Sequence, residues 1–452
     1  MFIKKMLKDK EFWHSILALA LPIALQNLLS SSLAMVDNLM IGRLGDIAVG
    51  AVGVSAQIAQ LVNIFLFGIT SGGTIFVAQY WGKKDLQGIR RTYGLVMVCC
   101  TAVSLLAAAL ISAFPEIVLR LYTNSEAIIA EGAKYLRIAA FSYVGIAVNL
   151  GFCTVLRSTE QVHLPVISNL ISVLFNVFFN FVLIFGYLGF PRLGIQGAAI
   201  ATVIASLVNP IFIFTVSYFK KYILRARLKE MFAFPKDFIP KFASVSLPVF
   251  LNEAMWAMGV AGVNMVYGRM GESNIAALTI TRTVENLAFV LIIGLCNACG
   301  VLIGKSIGKG DNEKALIYAK RFTILVPAIC IVIGSAIILL RSPILSLFSL
   351  SKDALRAAMC LLLVYGLEMP LRNVPFISIV GIFRAGGDTK RGMLYDIIFL
   401  WSLSLPVAIL LGLVLKWDFL VVYPIVLLVE DIPKTFFCVR YILSKKWIHS
   451  VT

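Results

Sequence analysis

The segment "AMVDNLMIGRLG" (Ala34–Gly45) places one carboxylate, Asp37, inside a long apolar stretch. Between Phe12 and Ile41 only His14 and Asp37 can carry a charge, and His14 lies near the edge of the stretch. An ionisable side chain inside a membrane is costly and is therefore a functional candidate by default. The segment indicates a membrane span that carries a functional acid.

The composition extends this interpretation to the whole chain. Of its 452 residues, 60% are hydrophobic and only 14% are charged, and the mean hydropathy is +0.92. A soluble domain has an apolar share of about 45–50%. The chain is predicted to be a polytopic membrane protein, which excludes a soluble enzyme or a nucleic-acid-binding protein. Its net charge of +17 is then attributed to loops that face a membrane surface.

Breaks at glycine, proline and clustered charges divide the chain into apolar runs of the length that a membrane span requires, about 20 residues. Most of the 40 lysine and arginine residues fall at the N-terminus and in every second connection, which predicts cytoplasmic termini. The predicted twelve spans cover residues 14–41, 47–80, 92–114, 128–153, 164–189, 194–219, 240–267, 274–304, 322–341, 354–381, 392–415 and 418–440.

An internal repeat relates the two halves of the chain. Residues 21–85 align with residues 247–311 without a gap, and the counterpart of the first segment is "VAGVNMVYGRMG" (Val260–Gly271). This counterpart keeps the Asn, Gly, Arg and Gly but has Val263 where Asp37 stands. Fixed spacing indicates duplication. It predicts an N-terminal six-helix lobe (1–219), a cytoplasmic linker (220–241) and a C-terminal six-helix lobe (242–452), with substrate held between parallel halves that alternate access.

Five segments together resemble the multidrug and toxic compound extrusion (MATE) family, and in motif they are closest to its prokaryotic DinF-like members. The resemblance covers nearly the full length. It implies an all-α fold of two pseudo-symmetric six-helix lobes forming a V, and cation-driven export of mostly cationic amphiphiles. The segments are "LALPIALQNLLSSSLAMVDNLMIGRLG" (19–45), "GITSGGTIFVAQYWGKKD" (68–85), "NVFFNFVLIFGYLGFPRLGIQGAAIATVIA" (176–205), "SLPVFLNEAMWAMG" (246–259) and "GIFRAGGDTKRGM" (381–393).

The resemblance also implies an ion-coupling site in the N-terminal lobe. In one prokaryotic branch of the family, four polar residues of spans 1, 5 and 6 bind a proton or Na+. Asn180 stands where the family pattern often has Asp, which leaves one carboxylate in the lobe. By motif, the four positions are Asp37, Asn176, Asn180 and Thr202.

A second branch of the family binds its ion through acids in spans 7 and 10. Glu253 matches the first of these acids, whereas Arg372 and Asn373 occupy the region of the second. The resemblance therefore implies an altered site in the C-terminal lobe, with Glu253 as its remaining ion-coupling residue.

Physical chemistry supports Asp37 and Glu253 independently, because neither has a basic residue within one helical turn. An unpaired carboxylate at low dielectric can take up and release a proton near neutral pH. Alternatively, the amides and hydroxyl near Asp37 offer neutral oxygens to a dehydrated Na+. The alternatives are a structural capping role for Asp37 and an ion pair between Glu253 and Arg282 or Arg372.

The remaining charges within the spans have helical spacings that predict internal neutralisation. Glu368 with Arg372, and Glu430 with Lys434, are spaced i, i+4 with the acid first, the favourable order for a pair on one face. Arg282 and Glu285 are spaced i, i+3. Buried charges are normally paired, so these residues are predicted to form ion pairs.

Two further groups of residues are assigned to substrate binding and to bending. The repeat-equivalent prolines Pro22 and Pro248 are predicted hinges, since proline kinks a helix. Methionines give adaptable walls for varied substrates, although ordinary packing explains them equally well. The predicted substrate cavity comprises Met35, Gln57, Asn149, Met255, Met258 and Glu285.

The function predicted from these observations is a secondary active antiporter in the cytoplasmic (inner) membrane of a bacterium. It exports cationic amphiphilic compounds in exchange for H+ or Na+, without a cofactor or any metal except Na+ at Asp37. It is expected to contact the lipid bilayer as a monomer, with no nucleic-acid partner and no enzymatic activity. The alternative is a flippase of lipid-linked oligosaccharide or a lipid precursor, whose pyrophosphate Arg282 and Arg372 would attract.

Overall fold

A computed structural model describes residues 6–346, 348 and 351–452, and these residues are almost entirely helical. Three π-helical turns interrupt the C-terminal helices, at Ile377–Phe383, Leu400–Ser404 and Ile409–Val414. The α-helices are α1 (Lys10–Gly42), α2 (Asp46–Lys83), α3 (Leu86–Ala113), α4 (Pro115–Arg120), α5 (Glu126–Ala139), α6 (Ser142–Ser158), α7 (His163–Phe185), α8 (Ile195–Phe219), α9 (Leu228–Met231), α10 (Phe238–Gly268), α11 (Glu272–Gly308), α12 (Asn312–Leu345), α13 (Lys352–Phe376), α14 (Thr389–Phe399), α15 (Leu405–Ala408) and α16 (Phe419–Leu443).

The lengths and compositions of these helices make the chain a multi-pass membrane protein. Within the described residues, ten helical segments are long and apolar enough to cross a membrane. Helices α5 and α6, bent by 47°, form an eleventh. Helix α16 corresponds to the twelfth predicted span, and it carries Glu430, Asp431 and Lys434 close together near its middle.

The residues shared by the two repeats mark equivalent helix ends. Gly45 and Gly271 precede α2 and α11 with φ of 103° and 141°, backbone conformations that glycine adopts without a steric penalty. The Asp85 carboxylate accepts from the backbone N–H of Gly88, and Asp311 likewise caps α12. An N-cap acid satisfies an N–H that has no intrahelical partner. The repeat therefore encodes a common helical frame.

The chain forms two compact units whose boundaries lie inside helices. One unit contains the chain up to Leu21 together with Leu247–Thr452, and the other is Pro22–Ser246. The boundaries in α1 and α10 fall at the repeat-equivalent prolines, so each of these helices contributes to both units. The role of these prolines as hinges stays a prediction, as do the lobe limits 219 and 241.

In the unit that contains the C-terminus, aromatic and ionic contacts hold the first turns of α1 against α12. The Phe12 ring stacks on Tyr318 with centroids 5.5 Å apart and meets Phe322 edge-on at 5.7 Å. The Arg321 guanidinium lies 4.7 Å from the Phe12 centroid and 2.6 Å from the Asp9 carboxylate. These residues join the N-terminal segment to α12.

In the Pro22–Ser246 unit, equivalent aromatic contacts hold the first turns of α10 against α2. Phe76 packs on Phe238 and Phe242 at 5.9 and 5.5 Å. A Cβ on Gly72 would lie 1.9 Å from the Ser246 hydroxyl, so only glycine permits this close approach. Both compact units therefore include the first turns of a helix whose remainder belongs to the other unit.

A small apolar core fixes α1, α2, α7 and α8 near the predicted ion site. Half-buried Met40 and Tyr135 pack against this core. Its side chains come from the end of α1, the start of α2, the end of α7 and the start of α8. They are Ile41, Ala48, Ala51, Ile184, Ile195 and Ala198. The core holds Asp37, one turn before Ile41, at a fixed position in this unit.

Candidate functional site

Asp37 of α1 lies against two amides of α7. The Asn180 amide nitrogen donates to Asp37 Oδ1 at 2.6 Å and to Asn176 Oδ1 at 2.8 Å. Both asparagines are almost fully buried, and Asp37 is half-buried. Because residues spaced i, i+4 share a helix face, α7 presents both amides to the carboxylate. The structure thus brings together three of the four residues that the resemblance implied.

Thr202 and a residue missed in the sequence, Tyr135, extend this polar group. The Thr202 hydroxyl donates to the Ala198 carbonyl at 2.9 Å, one turn earlier in α8. The Tyr135 hydroxyl of α5 lies within hydrogen-bond reach of Thr202 and within electrostatic reach of Asp37. Helices α7 and α5 both pack against α8, which places the two hydroxyls near the carboxylate. Nothing in the spacing of Tyr135 distinguished it from other tyrosines.

The Asp37 site offers oxygen atoms and no basic side chain. Asp37 forms no ion pair among the residues that the structure describes. The Asn180 Oδ1 atom is buried and has no donor among them, although buried polar atoms are nearly always hydrogen-bonded. A carboxylate, an orphaned amide oxygen and two hydroxyls suit a proton or a hard monovalent cation. We name this set, with Asn176, the Asp37 site.

Glu253, the ion-coupling residue expected in the C-terminal lobe, is ion-paired. Its Oε1 atom lies 2.5 Å from the Arg384 guanidinium, whose side chain is only 4% exposed. Arg384 directly follows the π-helical turn Ile377–Phe383, and π-helical turns are frequent at functional sites. Glu253 is therefore not the free carboxylate that the sequence indicated, and its part in ion coupling stays a prediction.

The local ion pairs predicted from helical spacing are only partly present. Lys434 Nζ lies 3.1 Å from Glu430, which confirms that pair, and it also contacts Asp396 of α14, a partner that the sequence did not indicate. The Arg282 guanidinium instead donates to the Asn264 amide of α10. The predicted Arg282–Glu285 pair is absent among the described residues, because Asn264 takes the guanidinium.

The predicted substrate residues divide between the two units. Met35, Gln57 and Asn149 belong to Pro22–Ser246, where Met35 is exposed and the Asn149 oxygen lies 3.7 Å from the Cys153 thiol. Whether all six line one substrate cavity stays a prediction.

In the second unit, the predicted substrate residues are Met255, Met258 and Glu285. Met258 is exposed, and the Met255 carbonyl accepts from the Trp401 indole at 3.2 Å. Glu285 accepts from the Tyr423 hydroxyl at 3.4 Å. Glu285 is therefore hydrogen-bonded within its own unit.

Comparisons with known proteins agree with this architecture. The chain is 25% identical to the probable multidrug resistance protein NorM of Thermotoga maritima over 97% of this chain and 93% of the relative. It is 26% identical to the uncharacterized transporter YisQ of Bacillus subtilis over 90% of this chain and 88% of the relative.

Solved structures show the same fold. A Vibrio cholerae MATE transporter superposes with a TM-score of 0.87 at 17% identity, covering 95% of this chain and 96% of the other. A MOP superfamily transporter from Pyrococcus furiosus gives 0.84 at 17% identity, with 96% of each chain covered. These likenesses confirm the predicted all-α membrane fold.

The family model described as MatE matches the chain twice, at residues 22–182 and 248–410. Both matches begin at one of the repeat-equivalent prolines, and together they cover more than half of the chain. The family resemblance of the sequence is thereby confirmed. The chain belongs to the MatE family.

Proposed function

We propose that this chain is a secondary active antiporter that exports cationic amphiphilic compounds in exchange for H+ or Na+. The Asp37 site carries the proposal. Its carboxylate contacts amides and hydroxyls rather than a fixed base within the described residues. A buried charge needs a counter-charge, and here a mobile cation is the natural one.

Several relatives are named as multidrug resistance proteins, which supports export of drug-like compounds. Besides NorM of Thermotoga maritima, the multidrug resistance protein MdtK of Photorhabdus laumondii is 24% identical over 91% of this chain and 89% of the relative. A cationic cargo is favoured because the half-buried Asp37 carboxylate lies beside amides and hydroxyls, with no basic side chain at ion-pair distance among the described residues. The proposed cargo is therefore a set of small organic cations with apolar parts.

Helix α1 connects the Asp37 site to the unit that contains the C-terminus, because residues of α1 belong to both units. Its turns before Pro22 pack with the unit that contains the C-terminus, whereas Asp37 lies in the other unit. Cation binding at Asp37 would favour one bend of α1, and substrate would favour the other. Ion and substrate then act on one conformational equilibrium and oppose each other reciprocally.

The membrane setting follows from the distribution of charge. Lysine and arginine concentrate at both termini and in alternate connections, which favours cytoplasmic termini in the inner membrane of a bacterium. The chain is proposed to act as a monomer in the bilayer without a resident cofactor.

Reconstitution in liposomes tests the proposal. With Asp37→Asn, efflux of a cationic dye driven by an imposed pH or sodium gradient should fall to the level of protein-free liposomes. Asp46→Asn is the matched control, because Asp46 is an exposed carboxylate in the first turn of α2, and it should retain full efflux. Full gradient-driven efflux by Asp37→Asn would show that the site does not couple transport.

The same liposomes separate the coupling ions and the alternative function. Imposing a proton gradient and a sodium gradient in separate experiments identifies the ion that drives dye efflux. A parallel assay of lipid-linked oligosaccharide translocation addresses the flippase. Translocation of that lipid without dye efflux would overturn the antiporter proposal.

A further inference from the structure

A cluster of buried and half-buried ionisable side chains lies outside the Asp37 site, in the unit that contains the C-terminus. Helices α11, α13, α14 and α16 contribute its acids, which are Glu285, Glu368, Asp396, Glu430 and Asp431. Its bases are Arg372 and Lys434, with Arg282 of α11 at its edge, where it donates to Asn264 and lies within electrostatic reach of Tyr267. Because the acids outnumber the bases, the cluster must hold protons or further cations to avoid uncompensated buried charge.

Glu368 is the acid in this cluster that lacks a donor. Its side chain is 4% exposed, and neither carboxyl oxygen accepts a hydrogen bond from a donor among the described residues. The pair with Arg372 that helical spacing predicted is not formed within salt-bridge distance, although Arg372 remains within electrostatic reach. A carboxylate in this position would be poorly compensated.

Asp431 lies near Glu368, and the lysine closest to Asp431 in sequence is Lys434. Lys434 already forms ion pairs with other acids. Lys434 lies one turn beyond Asp431 in α16 but contacts Asp396 and Glu430. Asp431 is itself buried, with 5% of its surface exposed. This lysine therefore contacts two other acids directly and reaches Asp431 only electrostatically.

Helices α13 and α16 pack together, which brings the buried carboxyl groups of Glu368 and Asp431 within hydrogen-bond reach of each other. Two ionised carboxylates have no proton to donate and repel, so such a contact forms only when one group is protonated. This requirement accounts for the missing donor at Glu368, because the donor is the proton between the two acids. We name Glu368 and Asp431 the carboxyl pair.

The other titratable groups that face the carboxyl pair do not replace this proton. Arg372 and Glu285 carry opposite charges, and Glu430 is engaged with Lys434. The remaining groups are neutral phenols of α10, α13 and α16 and a thiol of α12 that reaches the pair through Tyr365. They are Tyr267, Tyr365, Tyr423 and Cys330.

We propose that Glu368 and Asp431 share one proton and form a second proton-binding site, separate from Asp37, which exchanges its proton for a cation during transport. With one proton, the carboxyl pair has a single negative charge, which faces the positive charge of Arg372. Without it, the pair and Glu285 place three carboxylates around one guanidinium. Loss of the proton therefore requires another cation to enter the cluster.

This exchange links the cluster to transport. A cationic substrate that approaches Glu285 and a proton on the carboxyl pair compete for the same excess negative charge, so each weakens the binding of the other. The exchange rests on the proposed export of cations, whereas the shared proton does not. The two parts are therefore tested separately.

Infrared spectroscopy of the purified full chain in lipid nanodiscs tests the shared proton. In an Asp37→Asn background at neutral pH, we expect a protonated-carboxyl C=O band that shifts in D2O. Both Glu368→Gln and Asp431→Asn should abolish it, because an amide donates to the remaining carboxylate and removes the need for a proton. Absence of the band in the Asp37→Asn protein, or its persistence in both variants, would overturn the proposal.

A neighbouring acid supplies the control for this measurement. Glu430→Gln changes the residue adjacent to Asp431, but Glu430 is paired with Lys434, so the band should remain. Loss of the band in Glu430→Gln would show that the proton does not belong to the carboxyl pair. The band does not depend on transport, so it remains even if dye efflux shows the antiporter proposal to be wrong.

Proton release on binding tests the exchange. Tetraphenylphosphonium added to the Asp37→Asn protein in weak buffer should release protons that a pH-sensitive dye detects. Adding Glu368→Gln should abolish this release while tetraphenylphosphonium still binds. Equal release from both proteins, or binding without release in the Asp37→Asn protein, would overturn the exchange.

Discussion

Asp37 and Val263 occupy equivalent positions of the two repeats, yet the first position is an acid and the second lies beside a base. Asp37 accepts a hydrogen bond from the neutral amide of Asn180. Val263 is buried, and the amide next to it, Asn264, accepts from the Arg282 guanidinium. The same duplicated frame therefore holds an acid in one unit and a base in the other, which shows that the frame does not determine the charge.

The two units also differ in how their buried charges are compensated. Asp37 has no ion-pair partner among the described residues, whereas Glu253, Asp396 and Glu430 each contact a base. This difference suggests that charges in the unit containing the C-terminus mainly stabilise the fold, with the carboxyl pair as the exception. The Asp37 site is where we propose that a mobile cation binds.

The largest effect on folding is expected from breaking a pair in the unit that contains the C-terminus. Arg384→Met removes the base beside Glu253, and separating a buried pair costs about 3 kcal/mol or more. The free energy of unfolding, measured by denaturant titration in detergent, should fall by about 3 kcal/mol. Asp37→Asn should not lower it, since no ion pair is broken.

A double variant separates the pair from other contacts of Arg384. Glu253→Gln with Arg384→Met leaves no unpaired carboxylate, so most of the lost stability should return. Equal destabilisation of the single and double variants would show that the Glu253–Arg384 pair is not responsible.

The next effect concerns the single acid of the Asp37 site. Asn180→Asp adds a second carboxylate 2.6 Å from the first, and the added negative charge attracts a bound cation. The affinity for Na+, measured by isothermal titration calorimetry, should rise about tenfold, which corresponds to about 1.4 kcal/mol.

Asn149→Asp is the control for the added acid. Asn149 lies in the same unit on α6 but outside the Asp37 site, so its replacement should leave Na+ affinity unchanged. A similar rise in both variants would assign the effect to general charge rather than to the Asp37 site.

A smaller effect is expected from the hydroxyls. Tyr135→Phe removes one hydrogen-bonding oxygen beside Thr202, and a neutral hydrogen bond contributes about 1 kcal/mol. The concentration of coupling cation that gives half-maximal dye efflux should rise about fivefold. Exposed Tyr187 provides the control, because Tyr187→Phe should change nothing, and an unchanged Tyr135→Phe would exclude that hydroxyl from the site.

The smallest effect is expected at the N-terminal segment. The Phe12 backbone N–H, and then Arg321, hold the pKa of Asp9 below its ordinary value of 3.8. A lowered folded-state pKa stabilises the protein above the unfolded value, and this contribution disappears as pH falls through the folded value. Asp9→Asn should cost about 0.5 kcal/mol at neutral pH, because the carboxylate is partly exposed.

The pH dependence of that variant checks its cause. The difference in unfolding free energy between the wild type and Asp9→Asn should vanish below the folded pKa of Asp9. A difference that stays constant with pH would indicate lost packing rather than lost charge.

The helical frame was predictable because its signals are local. Apolar runs predicted the spans, and the repeated glycine and acid positions proved to be helix starts at Gly45, Gly271, Asp85 and Asp311. The spacing of Asn176 and Asn180 also placed them on one face. The contact of Asn180 with Asp37 was implied by family resemblance and not by spacing.

Other parts of the site could not be predicted because their partners are distant in sequence. Arg384 is 131 positions from Glu253, and Tyr135 contacts a different helix. Local spacing predicted Glu430–Lys434 correctly, but it was wrong for Arg282, since a closer acceptor came from α10. Spacing lists the pairs that a helix allows, and packing selects among them.

By itself, the sequence determined that the chain crosses a membrane many times and where its isolated acid lies, because a bilayer requires long apolar helices with few charges. Only the tertiary structure decided which groups surround each charge. The rotation and packing of the helices bring Asn180 to Asp37, Arg384 to Glu253 and Asp431 to Glu368. Those contacts determine whether a carboxylate is neutralised by a base or left to bind a mobile cation.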